Sequence, residues 1–300
     1  MKYGWIDERR AEYPIRALCA ALEVSPSGYY EWKSRPGGER RERRARIVQA
    51  AQKFFEESRR IYGYRKVHRD LVAADMACSR EMVRQVMREN GWKSKVQRRG
   101  RRVVTTDSAH DLPVAANLLN RDFGASRPNE KWVTDITYVA TKEGWLYLAT
   151  VLDLYSRRIV GWSAGDSLAT ALVREALLRA VRNRLPKGDL LHHSDRGSQY
   201  ASLEYRNLLE INELTASMSR KANCWDNAPM ESFFGSLKTE WLNFEQFANR
   251  EQAKGSVFEY IEVFYNRRRR HEALDYRTPI EFEYLYKCAP PSHPPGVRKK

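Results

Sequence analysis

Three acidic residues, spaced too widely to meet through local structure, most constrain how this 300-residue chain can fold. Asp135, Asp195 and Glu231 are separated by 59 and then 35 intervening residues. Asp135 lies in an alternating, β-branched run that predicts a strand. Asp195 follows a short apolar run and precedes Arg-Gly, which is typical of a strand passing into a loop. Glu231 lies at the border of an apolar helical stripe, so only tertiary structure can bring the three carboxylates together.

A cluster of these carboxylates favours a divalent cation. Neighbouring carboxylates repel one another and take up protons unless a cation neutralises them. Oxygen ligands without sulfur or an obligatory histidine favour Mg²⁺, with Mn²⁺ as a substitute, over Zn²⁺. Two such ions about 4 Å apart can activate a water or a 3′-hydroxyl and stabilise the leaving oxygen of a phosphodiester. Lys238 projects from nearly the same side of the helix as Glu231, two turns on, and suits a site beside a phosphate backbone.

Five stretches of the sequence resemble one protein family. They read W-V-T-D-I-T-Y, G-W-L-Y-L-A-T-V-L-D-L-Y-S-R-R-I-V-G-W, H-S-D-R-G-S-Q-Y, N-A-P-M-E-S-F-F-G-S-L-K-T-E and Y-N-R-R-R-R-H-E-A-L-D-Y-R-T-P. Together they are similar to the OrfB-type transposases of bacterial insertion sequences, which have a retroviral-integrase-like (DDE) catalytic core. The resemblance extends from about Pro14 to Glu283.

This resemblance implies a fold and a set of roles. The fold is ribonuclease-H-like, and Asp135, Asp195 and Glu231 are the catalytic, metal-binding triad. Lys238 contacts DNA near the reacting phosphate. The partners are the terminal inverted repeats and target DNA, further copies of the chain in a homo-oligomer on DNA, and the product of an upstream frame, OrfA. The paired histidines and cysteines of the integrase zinc domain have no counterpart in the sequence, so the likeness to integrases is limited to the core.

Basic residues are concentrated in the N-terminal part of the chain. Residues 1–125 contain 27 basic and 16 acidic residues, a net charge of +11, and residues 126–300 contain 26 and 22, a net charge of +4. The two sums give the total of +15. This asymmetry predicts that the N-terminal part contacts a polyanion, although a basic surface that only aids solubility has the same composition.

Cysteine usage and hydropathy bear on the compartment. The four cysteines are far apart and form no CxxC pair, which argues against structural zinc and a disulfide framework. The N-terminus lacks the apolar region of a signal peptide, and no stretch approaches 18 apolar residues. We therefore expect no membrane association, and the family resemblance implies a bacterial cytoplasmic, nucleoid-associated protein.

The N-terminal region is predicted to be all α-helical. Residues 1–36 form a short helix-turn-helix-like segment, although a bare helical hairpin has the same pattern. Residues 40–99 form a helix-turn-helix DNA-binding domain, and residues 100–128 a basic and polar linker. The predicted DNA contacts of this region are Arg80, Arg84 and Arg88, in an exposed helical stripe, and Arg98 and Arg99, in a basic strip. A solvated helix face is the alternative explanation of the stripe.

The catalytic core is predicted at residues 129–245, in the order β-β-β-α-β-α-β-α. Three strands in a meander followed by alternating helices and strands predict an α/β fold, a mixed five-stranded sheet with helices on both faces. Residues 246–285 are predicted to be a C-terminal helical extension, with four consecutive arginines, Arg267 to Arg270, on a helix. The family resemblance implies that this extension packs on the core. Residues 286–300 are rich in proline and are predicted to be a disordered tail.

Other titratable residues compete with the triad. Asp153 also lies in a predicted strand, and we expect it to pair with Arg157 or Arg158 instead of binding metal. His192 and His193 directly precede Ser194 and Asp195, but adjacent strand residues point to opposite faces, so at most one of the two histidines can face the site. We predict that they are structural histidines.

The sequence favours an integrase-like DNA transposase that cleaves at insertion-sequence ends with a divalent metal and transfers the freed 3′-hydroxyl. Two alternatives stay open at this point. One is a ribonuclease-H-like nuclease that cuts without strand transfer, and the other is a catalytically silent DNA-binding regulator.

Overall fold

The computed structural model describes residues 2–34, 37–96, 112–221 and 224–288. The chain divides into two compact units, Met1–Ser94 and Lys95–Lys300. Arg98 and Arg99 of the predicted basic strip lie outside the described residues. The finer domain boundaries given above stay predictions.

The first unit is helical throughout its regular structure. Its helices are α1 (Lys2–Arg9), α2 (Ile15–Ala21), α3 (Pro26–Ser34), α4 (Gly37–Glu57), α5 (Tyr64–Ala73) and α6 (Arg80–Glu89). Side-chain caps start two of them, because Ser25 Oγ accepts from Gly28 N at 3.0 Å and Ser79 Oγ accepts from Met82 N at 3.1 Å. Helices α4, α5 and α6 pack against one another.

Helix α6 has the two faces that its sequence predicts. Its buried face consists of Val83, Val86 and Met87. The predicted arginines occupy the other side, where Arg80, Arg84 and Arg88 are all exposed. Arg84 Nη1 lies 3.3 Å from a carboxylate oxygen of Glu81, a surface ion pair that contributes little to stability.

The second unit is built on a mixed sheet, which in the described residues has five strands. They are β1 (Lys131–Thr141), β2 (Gly144–Asp153), β3 (Ile159–Gly165), β4 (Leu190–Ser194) and β5 (Leu214–Met218). The order across the sheet is β3-β2-β1-β4-β5. Strands β1, β2 and β3 form an antiparallel meander, whereas β4 pairs parallel to both β1 and β5. This is the predicted ribonuclease-H-like topology.

Helices cover both faces of the sheet. On one face, α7 (Thr170–Arg184) packs on β2 and β3, and α9 (Leu203–Ile211) packs on β5 and α7. The short helix α8 (Ser198–Ala201) precedes α9. Strand β3 approaches α7 closely at Gly161, where a Cβ atom would collide with the backbone of Ala176. On the other face, α10 (Ala228–Glu240) packs on β1, and α11 (Arg250–Phe258) packs on β1 and β2.

The C-terminal extension is an integral part of this unit. The Asn266 side chain donates to the carbonyl of Ile159 and accepts from its N–H, both at 3.0 Å, as a neighbouring strand residue would. Helix α11 continues as a π-helical segment, Glu259–Tyr265, and the final helix, α12, spans Pro279–Cys288. The prediction that Arg267 to Arg270 lie on a helix is wrong, since the regular helix has ended before them.

Asp153 is buried, but with a different partner from the expected one. It pairs with Arg184 of α7 at 3.2 Å, whereas Arg158 pairs with Glu283 at 2.8 Å. Arg184 also contacts Glu283 at 2.8 Å. The expectation of Arg157 or Arg158 was wrong because α7 crosses the end of β2 and delivers a guanidinium there. Burial raises the pKa of Asp153 to about 6, although the backbone N–H of Asn129 and the charge of Arg184 oppose this rise.

A second buried carboxylate fixes the chain just before α10. Asp226, in a 3-10 turn over Cys224–Asn227, is fully buried. It accepts from the backbone N–H and guanidinium of Arg220 at 2.8–2.9 Å. It also accepts from Arg121 Nε at 2.8 Å and Asn117 Nδ2 at 2.9 Å. The hydrogen bond from Arg220 is the main reason why the pKa of Asp226 lies well below its usual range.

We predict that Arg184→Ala lowers the free energy of unfolding by about 3–5 kcal/mol, since it leaves Asp153 and Glu283 buried without their shared cation. Urea denaturation at neutral pH measures this loss. The matched control on α7 is Arg174→Ala, because Arg174 pairs with Glu204 at 3.1 Å in an exposed position. The control should cost less than about 1 kcal/mol. Equal losses in the two variants would contradict the prediction.

We predict that Asp226→Asn destabilises the protein by about 2 kcal/mol at pH 7 through the loss of charge-assisted hydrogen bonds. The folded-state pKa of Asp226 lies below the unfolded value of about 3.9. The stabilisation from its charge is therefore complete above about pH 4 and is lost as pH falls through the folded-state pKa. Urea titrations should show the gap between wild type and variant narrowing below about pH 4.

Asp122 is the matched control for that experiment. Its carboxylate pairs with Lys131 at 2.8 Å, but the Asp122 side chain is largely exposed to solvent. Asp122→Asn should change the free energy of unfolding by less than about 1 kcal/mol. A gap between wild type and Asp226→Asn that stays constant down to pH 2 would show that the Asp226 charge is not the stabilising group.

Candidate active site

The parallel pairing of β1 with β4 brings two of the predicted acids together. The register pairs Lys131 with Leu191 and Val133 with His193, an offset of 60 residues. Continued two residues further, the same offset places Asp135 beside Asp195, just past the end of β4. Neighbouring strand residues in register point to the same face of a sheet. Both aspartates are partly exposed.

The third acid stands on the helix that packs against β1. Side chains alternate along a strand, so Asp135 points to the face opposite Thr134. Trp132 and Ile136, on the Thr134 face, pack with residues of α7 and α9, whereas α10 contacts β1 outside that cluster. The start of α10 is fixed by Asn227, whose Nδ2 donates to the Thr134 carbonyl at 3.1 Å. Glu231 lies one turn into the helix and is partly exposed. The backbone next to Asp135 thus holds the helix that carries Glu231.

Hydrogen bonds from the backbone orient the two aspartates. Asp135 Oδ1 accepts from the N–H of Ile136 at 2.8 Å, and Asp195 Oδ1 accepts from the N–H of Gly197 at 2.9 Å. Tyr200, whose hydroxyl lies 3.4 Å from Thr134 Oγ1, is close enough to sense both acids. Burial, followed by the charges of Tyr205, Asp195 and Asp135, raises the pKa of Tyr200 well above its ordinary value. Tyr200 therefore stays protonated near the two aspartates.

Lys238 lies beside Asp135. Its Nζ atom is 4.6 Å from the centroid of the Tyr138 ring, within range of a cation–π interaction. Burial lowers the pKa of Lys238, and the negative charge of Asp135 partly offsets that effect. The lysine thus places a half-buried positive charge on the rim of the acidic site, where an anionic substrate would arrive.

The two histidines before Asp195 are structural, as predicted. His192 Nε2 lies 3.1 Å from the Tyr205 hydroxyl. His193 Nδ1 and Nε2 lie 2.8 and 3.1 Å from the hydroxyls of Ser217 and Ser219. Burial lowers the pKa of His192 to about 3 and that of His193 to about 4. Both rings are therefore neutral at neutral pH, and both ring nitrogens of His193 are occupied by serine hydroxyls.

The donor set at this edge of the sheet consists of carboxylates, which suits a hard cation such as Mg²⁺ or Mn²⁺. Within the described ranges, no group of three or more His, Cys, Asp or Glu side chains is close enough together to hold a metal ion. The register accounts for two adjacent carboxylates, Asp135 and Asp195. Glu231 lies in the first turn of α10, which packs on β1.

Several positioning residues escaped the sequence reasoning. Asn227 and Asp226 immediately precede the Glu231 helix, and their place in the sequence does not reveal their partners. Arg121 lies 105 positions before Asp226 and Arg220 lies 6 positions before it. Neither spacing indicates an ion pair, so the sequence could not assign these arginines to Asp226. The available signal was the D-N-A-P-M-E run, in which two hydrogen-bonding side chains directly precede a helix-starting proline.

Comparisons with known families divide the chain in the same way as its structure. The integrase core domain matches residues 125–224, and a second integrase core domain description matches residues 212–279. An HTH-like domain matches residues 42–100, which include most of α4 and all of α5 and α6. In the described part of the chain, no helix is both long and apolar enough to cross a membrane.

Two solved structures illustrate the fold-level likeness. One is a simian T-cell lymphotropic virus intasome in complex with PP2A regulatory subunit B56 gamma. Its sequence is 13% identical, the alignment covers 76% of this chain and 73% of the intasome chain, and the TM-score is 0.46. The other is the HTLV-2 integrase catalytic core domain in complex with magnesium, in its trimeric form. Its sequence is 16% identical, the alignment covers 52% of this chain and 96% of the integrase chain, and the TM-score is 0.41. The fold assignment rests on the strand order.

Two relatives match over nearly the whole chain. The insertion element IS600 uncharacterized 31 kDa protein of Shigella sonnei is 42% identical over 269 residues, which are 90% of this chain and 98% of the relative. Transposase InsF for insertion sequence IS3A of Escherichia coli K12 is 40% identical over 285 residues, 94% of this chain and 98% of the relative. The chain therefore belongs to the transposases of bacterial insertion sequences, DNA-binding polynucleotidyl transferases with an integrase-like core.

Proposed function

We propose that Asp135, Asp195 and Glu231 are the catalytic acids of this transposase and that they hold Mg²⁺, with Mn²⁺ as a substitute. The observation that supports this most strongly is the β1–β4 register, which places two carboxylates side by side. Asn227 ties the Glu231 helix to the same stretch of β1. The proposed reaction is cleavage at insertion-sequence ends followed by attack of the freed 3′-hydroxyl on a second phosphodiester.

The residues of the chain contribute position and charge. A bound divalent cation supplies Lewis-acid polarisation of the phosphodiester and a lower pKa for the attacking hydroxyl group. The backbone N–H groups of Ile136 and Gly197 hold Asp135 and Asp195 in place for this task. Tyr200, protonated and buried, adds no charge beside the acids. Lys238 offers a positive charge to the DNA backbone beside Asp135.

The first unit is proposed to bind the terminal inverted repeats. Helix α6 presents Arg80, Arg84 and Arg88 on one exposed face, a pattern suited to phosphate or guanine contacts in a groove. Arg98 and Arg99 are proposed to add phosphate contacts. The assembly that acts on DNA is proposed to be a homo-oligomer at the nucleoid in the cytoplasm, with the upstream-frame product OrfA as a further subunit.

We predict that Asp195→Asn loses at least about 100-fold in Mg²⁺-dependent joining of a labelled terminal-repeat oligonucleotide while it still binds that oligonucleotide. The repeat is taken from the DNA that flanks the gene, and the OrfA product is tested alongside. Asp166→Asn is the matched control, since Asp166 is an exposed acid in a loop of the same unit. The control should join DNA at the wild-type rate.

The outcomes of this experiment separate the possible activities. Cleavage by the wild type without any joined product would indicate a nuclease. Binding without cutting, with Mn²⁺ and OrfA present, would indicate a silent DNA-binding regulator. Equal joining by wild type and Asp195→Asn would remove Asp195 from the proposed triad.

We predict that replacing Arg80, Arg84 and Arg88 together by alanine weakens binding to the terminal repeat and reduces its salt dependence. Each lost phosphate contact lowers the slope of log affinity against log salt by about 0.9. Fluorescence anisotropy over a salt series measures this slope. Lys53→Ala, which removes an exposed base of α4, is the matched control. An unchanged slope in the triple variant would mean that the stripe is only a solvated helix face.

A further inference from the structure

Two aromatic side chains form a small shelf at the end of the β1–β2 hairpin. Tyr138 is opposite Tyr147, and Ala140 is opposite Trp145, so Tyr138 and Trp145 are diagonal neighbours on one face. Their ring centroids are 4.7 Å apart at an interplanar angle of 77°. This edge-to-face contact braces the indole from one side. Tyr138 and Trp145 together form this aromatic shelf.

The shelf is exposed although it is held in place. Trp145 is 48% exposed, while Tyr138 is partly buried. The backbone of Trp145 is fixed by Arg250, whose Nε donates to the Trp145 carbonyl at 3.0 Å. An isolated exposed aromatic residue needs no explanation by itself. What distinguishes this one is its rigid support and its position relative to the acids.

Lys238 connects the shelf to the active site. The lysine lies over the ring of Tyr138 and senses the charge of Asp135. Along β1, Ala140 lies five residues beyond Asp135, which corresponds to about 17 Å at 3.4 Å per residue. Stacked nucleotides of one strand are spaced by about 3.4 Å. Alternation along β1 turns Tyr138 and Trp145 to the sheet face opposite Asp135, and the pairing of β1 with β4 ends at Val133. A DNA strand whose phosphate reacts at Asp135 therefore passes the edge of β1 beside Lys238 to reach Trp145, within about five nucleotides.

The charges around the shelf are suited to a nucleic acid strand. Lys238 and Arg250 flank it, Lys142 is exposed in the hairpin turn next to it, and the acid of that turn, Glu143, accepts from the backbone N–H of Arg250. Aromatic rings stack on bases of any sequence, and flanking cations bind the phosphates on either side. An indole face with basic neighbours thus matches an unpaired base of a DNA strand.

We propose that Trp145, braced by Tyr138, stacks on an unpaired nucleobase of the DNA strand that is processed at Asp135. The base lies within about five nucleotides of the reacting phosphodiester. This inference rests on the proposed function of the acidic site, because that function places DNA at Asp135. It assigns to the β1–β2 hairpin the task of keeping one base out of the duplex near the site of strand transfer.

The test is a protein-by-DNA cycle in strand joining. Each of the five nucleotides on either side of the cleaved phosphodiester is replaced in turn by an abasic residue in the terminal-repeat oligonucleotide. Wild type, Trp145→Ala and Trp145→Phe are compared, and Tyr284→Ala serves as the control. Tyr284 is an exposed aromatic residue of α12, which packs near Tyr155 at the opposite end of the sheet.

We expect Trp145→Ala to lower joining of intact DNA by roughly 5- to 150-fold, the range for loss of one base stack. Trp145→Phe should lose less, and Tyr284→Ala should match wild type. At one position the abasic substitution should lower wild-type joining by a similar factor and leave Trp145→Ala unaffected. Losses that multiply at every position would overturn the proposal, as would full activity of Trp145→Ala.

A binding measurement separates this inference from the proposed function. The measurement uses the Asp195→Asn background and the fluorescent base 2-aminopurine, whose emission reports stacking. The probe replaces the base at the position found by abasic scanning. If wild type does not join DNA, each of the ten positions is probed in turn. Emission should be lower with Trp145 than with Trp145→Ala at one position. Equal emission at every position would overturn the inference, whatever the joining assay shows. An oligomeric state that changes in Trp145→Ala without DNA would assign the indole to a protein interface instead.

Discussion

The backbone ladder between β1 and β4 is the interaction on which the candidate active site depends. Parallel pairing with an offset of 60 residues sets Asp135 beside Asp195, although 59 residues separate them in sequence. A shift of one residue would turn the neighbouring side chains to opposite faces of the sheet. The buried residues Trp132 and His192, which are paired in this register, help to define it, because each has a specific place in the interior.

Helix α10 is held at both ends by buried polar contacts. Near its start, Asp226 forms ion pairs with Arg121 and Arg220, and Asn227 donates a hydrogen bond to the backbone of β1. At its other end, Glu240 forms an ion pair with Arg269 at 2.6 Å in a largely buried position. Removing one partner of a buried ion pair leaves an uncompensated buried charge, so these contacts disfavour arrangements in which the partners separate. Their effect here is to fix the orientation of the helix that carries Glu231 and Lys238.

The arginines of this transposase have two different uses. Arg184 and Arg269 are buried against carboxylates, so they are not available to DNA in this structure. Arg80, Arg84 and Arg88 are exposed on one helix face. The high basic content of the chain therefore overstates its DNA-binding surface, and burial has to be known before an arginine is assigned to nucleic acid. The Arg267–Arg270 run shows this most directly, since Arg269 is used to anchor α10.

Alternation and apolar periodicity in the sequence determined the strands and helices, because these patterns directly reflect which residues face an interior. The sequence also determined the family, through motifs that combine polar residues with fixed spacing. Tertiary structure alone decided the long-range polar partners. Asp153 pairs with Arg184 instead of Arg157 or Arg158, and Asp226 joins Arg121 across 105 positions. Ion pairs have no sequence period, so the packing of helices on the sheet selects which charges meet.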